Sequence, residues 1–200
     1  MLDRYLIEHC SPTLASLKAG SLFSCKCTSE DAPEPWIAEW NEALKSRGLS
    51  LRLMRRTDSS ALIYIFRKSA LEKTLGNREI SEFLRSFGYE GCELCEGCTA
   101  DSCHLENCLK HLEDRINKIS GCSDMSFPHE IGLFLGYPLA DVKGFIRHKG
   151  RSCKHIGTWK VYGDVLSAKK TFAKFSKCSD MYNKLWKSGR RSIMQLTVAG

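Results

Sequence analysis

A short stretch near the middle of the chain carries five cysteines at the spacing Cys-x2-Cys-x2-Cys-x4-Cys-x4-Cys. They are Cys92, Cys95, Cys98, Cys103 and Cys108. Sulfurs at two-residue spacing converge on one metal ion or cluster when an irregular loop carries them. The first three begin an iron–sulfur binding run, but such runs continue with a fourth cysteine after three residues and then proline, and here the gap is four. Zinc would accept four of these sulfurs, or three together with His104.

The cysteine spacing therefore predicts a metal site, and it leaves an iron–sulfur cluster and zinc open. The alternative is a reduced, cysteine-rich loop without metal. The chain has eleven cysteines, an odd number, which in a reducing compartment are thiols or metal ligands and not a disulfide framework. Residues 1–9 lack the basic start and apolar core of a signal peptide, and no apolar run is long enough to span a bilayer. We expect a cytoplasmic, non-enzymatic metal-binding accessory protein without a membrane segment.

A second set of candidates for metal or acid–base chemistry includes His129 and Glu130, which are adjacent in an apolar run. The metalloprotease motif needs a second histidine four residues after the first, and Leu133 stands there instead. A histidine near a turn is more often a hydrogen-bonded structural residue. We find no phosphate-binding glycine-rich loop and no serine nucleophile elbow in the sequence. No catalytic residue is assigned, and an enzyme with a His129/Glu130 site is the third hypothesis.

Charge is distributed unevenly along the chain. Residues 143–200 contain 14 Lys or Arg and only two acids, Asp164 and Asp180, so their net charge is +12. Residues 1–142 carry 16 basic and 21 acidic side chains, for a net charge of −5. A basic C-terminal region attracts nucleic acid or an acidic partner protein. The alternative is a solvated, lysine-rich helical face.

The densest apolar run, residues 127–150, is interrupted by glycines and prolines that predict two short helices with a sharp turn between them. Gly132 and Gly136 are four residues apart, which suggests that another backbone packs closely there. With Val142 they also fit the spacing of a helix-turn-helix. The exposed face of its second helix would carry basic residues: Lys143, Arg147, Lys149 and Arg151. Against nucleic-acid binding, Asp141 would repel phosphate, so an ordinary packed hairpin is the alternative.

The remaining elements must position these groups. Residues 49–55 alternate between apolar and polar, and residues 61–66 are continuously apolar and rich in strand formers, which predicts a β-hairpin with a central second strand. A further strand is predicted at 158–162. Helical periodicity is found at 36–46, 79–87, 105–119 and 168–187.

This order predicts an α+β fold, in which a small, mainly antiparallel sheet is covered by helices. The fold also contains a central, glycine-spaced helical hairpin. We expect residues 1–200 to form a single domain. Residues 90–108 would be a cysteine-rich, insert-like segment, and residues 127–150 would be a rigid hairpin docked on the sheet.

Four blocks of sequence carry a resemblance to a known family. They are His9-Cys10 to Leu14 with Lys18, Arg55-Arg56-Thr57-Asp58 with Ala61-Leu62-Ile63-Tyr64, the run from Phe127 to Pro138, and Trp159-Lys160-Val161-Tyr162 with Lys177-Cys178. On these blocks the chain resembles an uncharacterised bacterial family, found mostly in anaerobes and known as a domain of unknown function (DUF3793-like). The resemblance covers nearly the whole chain and implies no activity, substrate or catalytic residue. The cysteine-rich run does not belong to this pattern.

Overall fold

The computed structural model describes residues 2–27, 32–89, 100–118 and 127–199. The strands in these ranges are β1 (Gly20–Lys26), β2 (Leu49–Arg56), β3 (Ser60–Arg67), β4 (His155–Ile156) and β5 (Lys160–Val161). The helices are α1 (Leu2–Leu14), α2 (Glu34–Lys45), α3 (Lys68–Leu75), α4 (Arg78–Arg85), α5 (Ala100–Asn117), α6 (Ile131–Phe134), α7 (Leu139–Arg147), α8 (Val165–Lys187) and α9 (Ile193–Leu196). None of these helices is long and apolar enough to cross a membrane.

Strands β1, β3 and β2 form an antiparallel sheet in that order, so the continuously apolar strand β3 is central, as its sequence predicts. Successive side chains of a strand point to opposite faces. Ile63 and Ile65 therefore enter one core, whereas Tyr64 and Phe66 enter the other. Because β3 is buried on both faces, its apolar run does not alternate.

Helices cover both faces of this sheet. On one face α1, α2, α8 and α9 pack around residues such as Leu6, Leu44 and Ile193. On the other face α3 to α7 pack around residues such as Leu71 and Leu112. The predicted α+β fold, a small antiparallel sheet covered by helices, is confirmed. That residues 1–200 form one domain stays a prediction, and most of the segment 90–108 lies outside the described residues.

The central helical hairpin is confirmed, with α6 as a single buried turn and α7 following Pro138. A Cβ atom on Gly132 would lie 2.8 Å from Val142 Cγ2, so the glycine allows α6 and α7 to approach closely. Gly136 adopts a φ of +78° at the turn and lies against Ala19. The Tyr64 hydroxyl donates a hydrogen bond to the Phe134 carbonyl oxygen at 2.5 Å, which joins the hairpin to the central strand.

Arg67, at the end of β3, joins distant parts of the chain. It is 2% exposed, and its guanidinium donates to the carbonyl oxygens of Thr13 (2.7 Å), Leu14 (2.6 Å) and Val198 (2.8 Å). Burial lowers the pKa of Arg67 from its ordinary value. The buried charge is thus satisfied by the C-terminal carbonyls of α1 and by the C-terminal tail.

Candidate functional site

A cavity of about 360 Å³ lies between the α6–α7 hairpin and the β4–β5 hairpin, and we call it the hairpin pocket. Its lining is mostly apolar and aromatic. The lining residues are His129, Ile131, Gly132, Leu135, Tyr137, Asp141, Val142, Phe145, Ile156, Gly157, Thr158, Trp159 and Lys160. A largely apolar cavity with a few polar groups is the usual form of a small-molecule site.

Asp141 fixes the geometry of this pocket. It lies in the first turn of α7, is 3% exposed, and its Oδ1 accepts hydrogen bonds from the backbone N–H groups of Tyr162 and Gly163, both at 2.7 Å. Its Oδ2 accepts a hydrogen bond from the Trp159 indole at 2.7 Å. A buried carboxylate is tolerated when such donors satisfy it. Asp141 therefore holds the β4–β5 hairpin against α7 and fixes the Trp159 ring.

Aromatic contacts complete the walls. Trp159 stacks on Tyr137 with ring centroids 4.8 Å apart and meets Phe172 edge-on at 4.5 Å. His129 meets Phe145 edge-on at 4.7 Å. These contacts restrain the rings before any ligand arrives, and preorganisation of this kind reduces the entropy lost on binding.

The polar group at one end of the pocket is Lys160. Its ammonium donates to the Gly150 carbonyl oxygen at 2.8 Å and lies 5.6 Å from the Phe145 ring centroid. At the rim, Ile156 is 67% exposed although it is a large apolar residue. The arrangement can bind a flat, apolar molecule. It shows no free carboxylate for acid–base work among the described lining residues, because Asp141 already accepts from three donors.

His129 and Glu130 point to different surroundings. Glu130 is 1% exposed, forms an ion pair with Arg115 (2.6 Å between Oε1 and Nε) and accepts a hydrogen bond from the Tyr89 hydroxyl at 3.1 Å. Burial, together with the charge of Glu130, raises the pKa of Tyr89. His129 instead lines the hairpin pocket. The two side chains do not form the shared cleft that the enzyme hypothesis requires, and this geometry lends it no support.

Most of the predicted cysteine set lies outside the part of the chain that the structure describes. Cys92, Cys95 and Cys98 are in this position, and for Cys103 only the helical backbone is described. Cys108 is buried in α5 with its Sγ 3.8 Å from His104 Nε2, and burial raises the pKa of its thiol to about 11. Within the described ranges, no group of three or more His, Cys, Asp or Glu side chains is placed to hold a metal. Iron–sulfur or zinc binding stays a prediction.

The four predicted basic residues behave in two ways. Lys143 forms an ion pair with Glu79 at 3.3 Å and lies over the Phe83 ring. Arg147, Lys149 and Arg151 are exposed, and within the described residues they form no ion pair.

The helix that would enter a DNA groove is largely occupied by contacts within the protein. The N-terminal turn of α7 carries the buried Asp141, and Gly144 packs directly against the Tyr162 ring. The preceding helix is a single buried turn. The glycine spacing is therefore explained by close packing, and the geometry does not support a helix-turn-helix.

Comparison with known protein families gives one result. The model of a family described as "Protein of unknown function (DUF3793)" matches residues 6–197. The chain belongs to the DUF3793 family. No curated protein and no solved structure matches this DUF3793 member. The family description assigns no activity.

Three of the sequence blocks that carry the family resemblance meet beside the hairpin pocket of this DUF3793 member. The Lys18 ammonium lies 5.3 Å from the centroid of the Tyr137 ring, and Tyr137 stacks on Trp159. The sequence did not reveal the pocket, because Asp141 was considered only as a charge that repels phosphate and residues 158–162 only as a strand. The sequence signal that could have indicated the pocket is the run Trp159-Lys160-Val161-Tyr162, in which two aromatic rings lie on either side of a lysine.

Proposed function

We propose that this DUF3793 member is a non-enzymatic binding protein whose hairpin pocket takes a small, largely apolar, ring-containing molecule. The observation that carries the proposal is the ring-lined cavity of about 360 Å³, whose walls are held by the Asp141 carboxylate. A volume of this size is at the lower end for small-molecule sites, at roughly 300–1,000 Å³. Stacking on Trp159, Tyr137 or Phe145 supplies geometric specificity for a flat ring.

The exposure of Ile156 supports the same proposal. This apolar side chain is 67% exposed at the rim of an apolar cavity, so contact with a ligand would remove its apolar surface from water. Lys160 lies over the Phe145 ring, so a ring placed beside Phe145 would also meet a cation.

Indole titrated into the ¹⁵N-labelled full chain tests the proposal, because the four tryptophans provide their own controls. We expect the Trp159 indole N–H resonance to shift and the resonances of Trp36, Trp40 and Trp186 to stay in place. Ile156→Asp should weaken indole binding about tenfold, since it removes apolar area and adds a charge at the rim.

The matched control is Leu166→Asp, because Leu166 is 74% exposed and does not line the hairpin pocket. It should bind indole like the wild type. Equal weakening by both variants, or a Trp159 resonance that does not respond to indole, would overturn the proposal.

Nucleic-acid binding is a second candidate, and one observation favours it. The outward face of α8 carries exposed lysines, including Lys170, Lys174 and Lys177, and no ion pair is formed by them among the described residues. Arg147 and Arg151 are exposed as well, and exposed cations of this kind are suited to phosphate or to an acidic protein.

Salt dependence tests this candidate. Retention of a labelled single-stranded oligonucleotide should fall steeply as salt rises, since bound cations on the nucleic acid are released. Arg147→Glu combined with Arg151→Glu should reduce retention at low salt. If the double variant retains the oligonucleotide as well as the wild type does, this candidate is wrong.

A further inference from the structure

A second cavity, of about 380 Å³, lies where α1, β1, α8 and the turn between β4 and β5 meet, and we call it the Lys18 cleft. Its lining residues are His9, Pro12, Lys18, Ser21, Thr158, Phe172, Phe175, Ser176 and Ser179. Pro12, Ser21 and Phe175 are buried, whereas His9, Thr158 and Ser176 are exposed. The cleft therefore has a buried floor and a rim that is open to solvent.

Lys18 is positioned by the turn that ends α1. The backbone N–H groups of Leu17 and Lys18 both donate to the Pro12 carbonyl oxygen, at 2.8 and 3.2 Å, and Ser16 adopts a φ of +59°. This tight turn directs the lysine side chain back over the Tyr137 ring, 5.3 Å from its centroid. The aromatic ring partly stabilises the cation but does not neutralise it.

Among the residues that the structure describes, the charge of Lys18 has no carboxylate partner. None of the residues that line the cleft is acidic, and within the described part of the chain Lys18 forms no ion pair. Burial lowers the pKa of Lys18 to about 8, opposed by a smaller effect of the nearby Cys10. The Cys10 thiol does not supply the missing charge, since burial raises its own pKa. The fold thus keeps a cation in a half-buried position without compensating it.

The other polar groups of the cleft are suited to donating hydrogen bonds. Thr158, Ser176 and Ser179 contribute hydroxyl groups, and His9 contributes an imidazole that stacks with Phe23, with centroids 6.3 Å apart. The Ser21 hydroxyl is already hydrogen-bonded to Thr13 at 2.8 Å. A cavity lined by an ammonium together with hydroxyl and imidazole groups matches the oxygen atoms of a phosphate or carboxylate.

We propose that the Lys18 cleft binds the phosphate or carboxylate group of a small molecule, which supplies the counter-charge that Lys18 lacks. This site is distinct in chemistry from the hairpin pocket, which is mostly apolar, although Thr158 lines both cavities. The two cavities adjoin, because Trp159 lines the hairpin pocket and its ring contacts Phe172 and Phe175 of the cleft.

Thermal unfolding of the full chain in inorganic phosphate, or in acetate, tests this proposal at pH 7 and constant ionic strength. At about ten times the dissociation constant, phosphate should raise the wild-type Tm by roughly 4 °C. Lys18→Met should abolish this increase, because the methionine fills the same space without charge. Lys18→Arg should retain it. A response to acetate but not phosphate would identify the carboxylate as the preferred group.

Lys174→Met is the matched control, since Lys174 is an exposed lysine of α8 that does not line the cleft. It should respond to the anion like the wild type, which separates binding at Lys18 from general stabilisation by the salt. A second measurement needs no variant: the backbone amide resonances of Thr158 and Ser176 should shift in ¹⁵N spectra as phosphate is added to the wild type. An equal Tm response of wild type and Lys18→Met, or amide shifts spread over α8 but absent from the cleft, would overturn the proposal.

Discussion

The hairpin pocket and the Lys18 cleft adjoin each other, yet they differ in how a charged side chain is compensated by its surroundings. In the hairpin pocket, Asp141 accepts from Tyr162, Gly163 and the Trp159 indole, all at 2.7 Å. Lys18 instead lies over the Tyr137 ring and near the Cys10 thiol, in a cleft that is also lined by hydroxyl groups, and it forms no ion pair with a carboxylate among the described residues. A charge that the fold satisfies completely holds the fold together. A charge that the fold leaves uncompensated is available for a ligand.

Arg67 is the buried charge with the most complete set of hydrogen-bond partners among those considered. Its replacement should therefore cause the largest loss in the free energy of unfolding. Arg67→Met would remove the guanidinium that donates to the carbonyl oxygens of Thr13, Leu14 and Val198. We expect a loss of about 3–5 kcal/mol in the free energy of unfolding, measured by urea denaturation. Arg190→Met, at an exposed position, should change stability by less than about 0.5 kcal/mol. Similar values for the two variants would contradict the role given to Arg67.

Asp141→Ala should have the next largest effect. It would remove the acceptor of two backbone N–H groups and one indole, and the expected loss is about 2–4 kcal/mol. The Trp159 indole proton should also exchange faster with solvent, which distinguishes an opened pocket from general destabilisation. The exposed Asp180→Ala serves as the control and should leave both values unchanged. A slowly exchanging indole proton in Asp141→Ala would show that the pocket wall does not depend on this carboxylate.

Lys18→Met should increase the free energy of unfolding, whereas the two preceding substitutions decrease it. Since burial lowers the pKa of Lys18 to about 8, the unfolded chain binds this proton more tightly than the folded chain does. Lys18 therefore costs stability below pH 8, and that cost diminishes as pH rises from about 8 towards the ordinary lysine value.

We expect Lys18→Met to be more stable than wild type by about 1 kcal/mol at pH 7, with the advantage shrinking by pH 10. Among the described residues, the other titratable groups that line the cleft or lie near Lys18 are His9 and Cys10 from α1 and Tyr137 from the turn after α6, and they remain in both proteins. Urea denaturation at the two pH values measures the difference. A variant less stable than wild type at pH 7 would mean that the lysine is compensated after all.

The smallest effects should come from the surface cations. Lys143 is paired with Glu79, so Lys143→Ala should cost about 0.5 kcal/mol. Arg147 is exposed and unpaired within the described residues, so Arg147→Ala should leave stability unchanged and reduce oligonucleotide retention more than Lys143→Ala does. The reverse ranking in retention would count against the distinction between paired and unpaired charges at the surface.

Local patterns in the sequence predicted much of the fold. The alternation at 49–55 and the apolar run at 61–66 define β2 and β3, because strand periodicity is a property of neighbouring residues. The spacing of Gly132 and Gly136 predicted the close approach of α6 and α7 for the same reason. The strand predicted at 158–162 is shorter in the structure, where β5 covers Lys160–Val161.

The two cavities could not be predicted in this way, because their contacts join residues that are distant in the chain. The Asp141 carboxylate meets Trp159, Tyr162 and Gly163 only after the β4–β5 hairpin folds back on α7. The Lys18 ammonium lies over the Tyr137 ring although the two residues are far apart in the sequence. The predicted metal site at the cysteines differs from the two cavities, since it rests on local spacing in the sequence alone. Metal analysis and a visible spectrum of protein purified without oxygen decide it, and a colourless protein without iron or zinc would show it to be wrong.

The titration of Lys18 itself tests the central contrast most directly. The ¹⁵N resonance of the Lys18 ammonium, followed against pH with and without inorganic phosphate, reports the lysine pKa in both states. We predict a pKa of about 8 in the free protein and a rise towards the ordinary lysine value when phosphate is bound. A free Lys18 that already titrates at the ordinary value, unchanged by phosphate, would contradict the account.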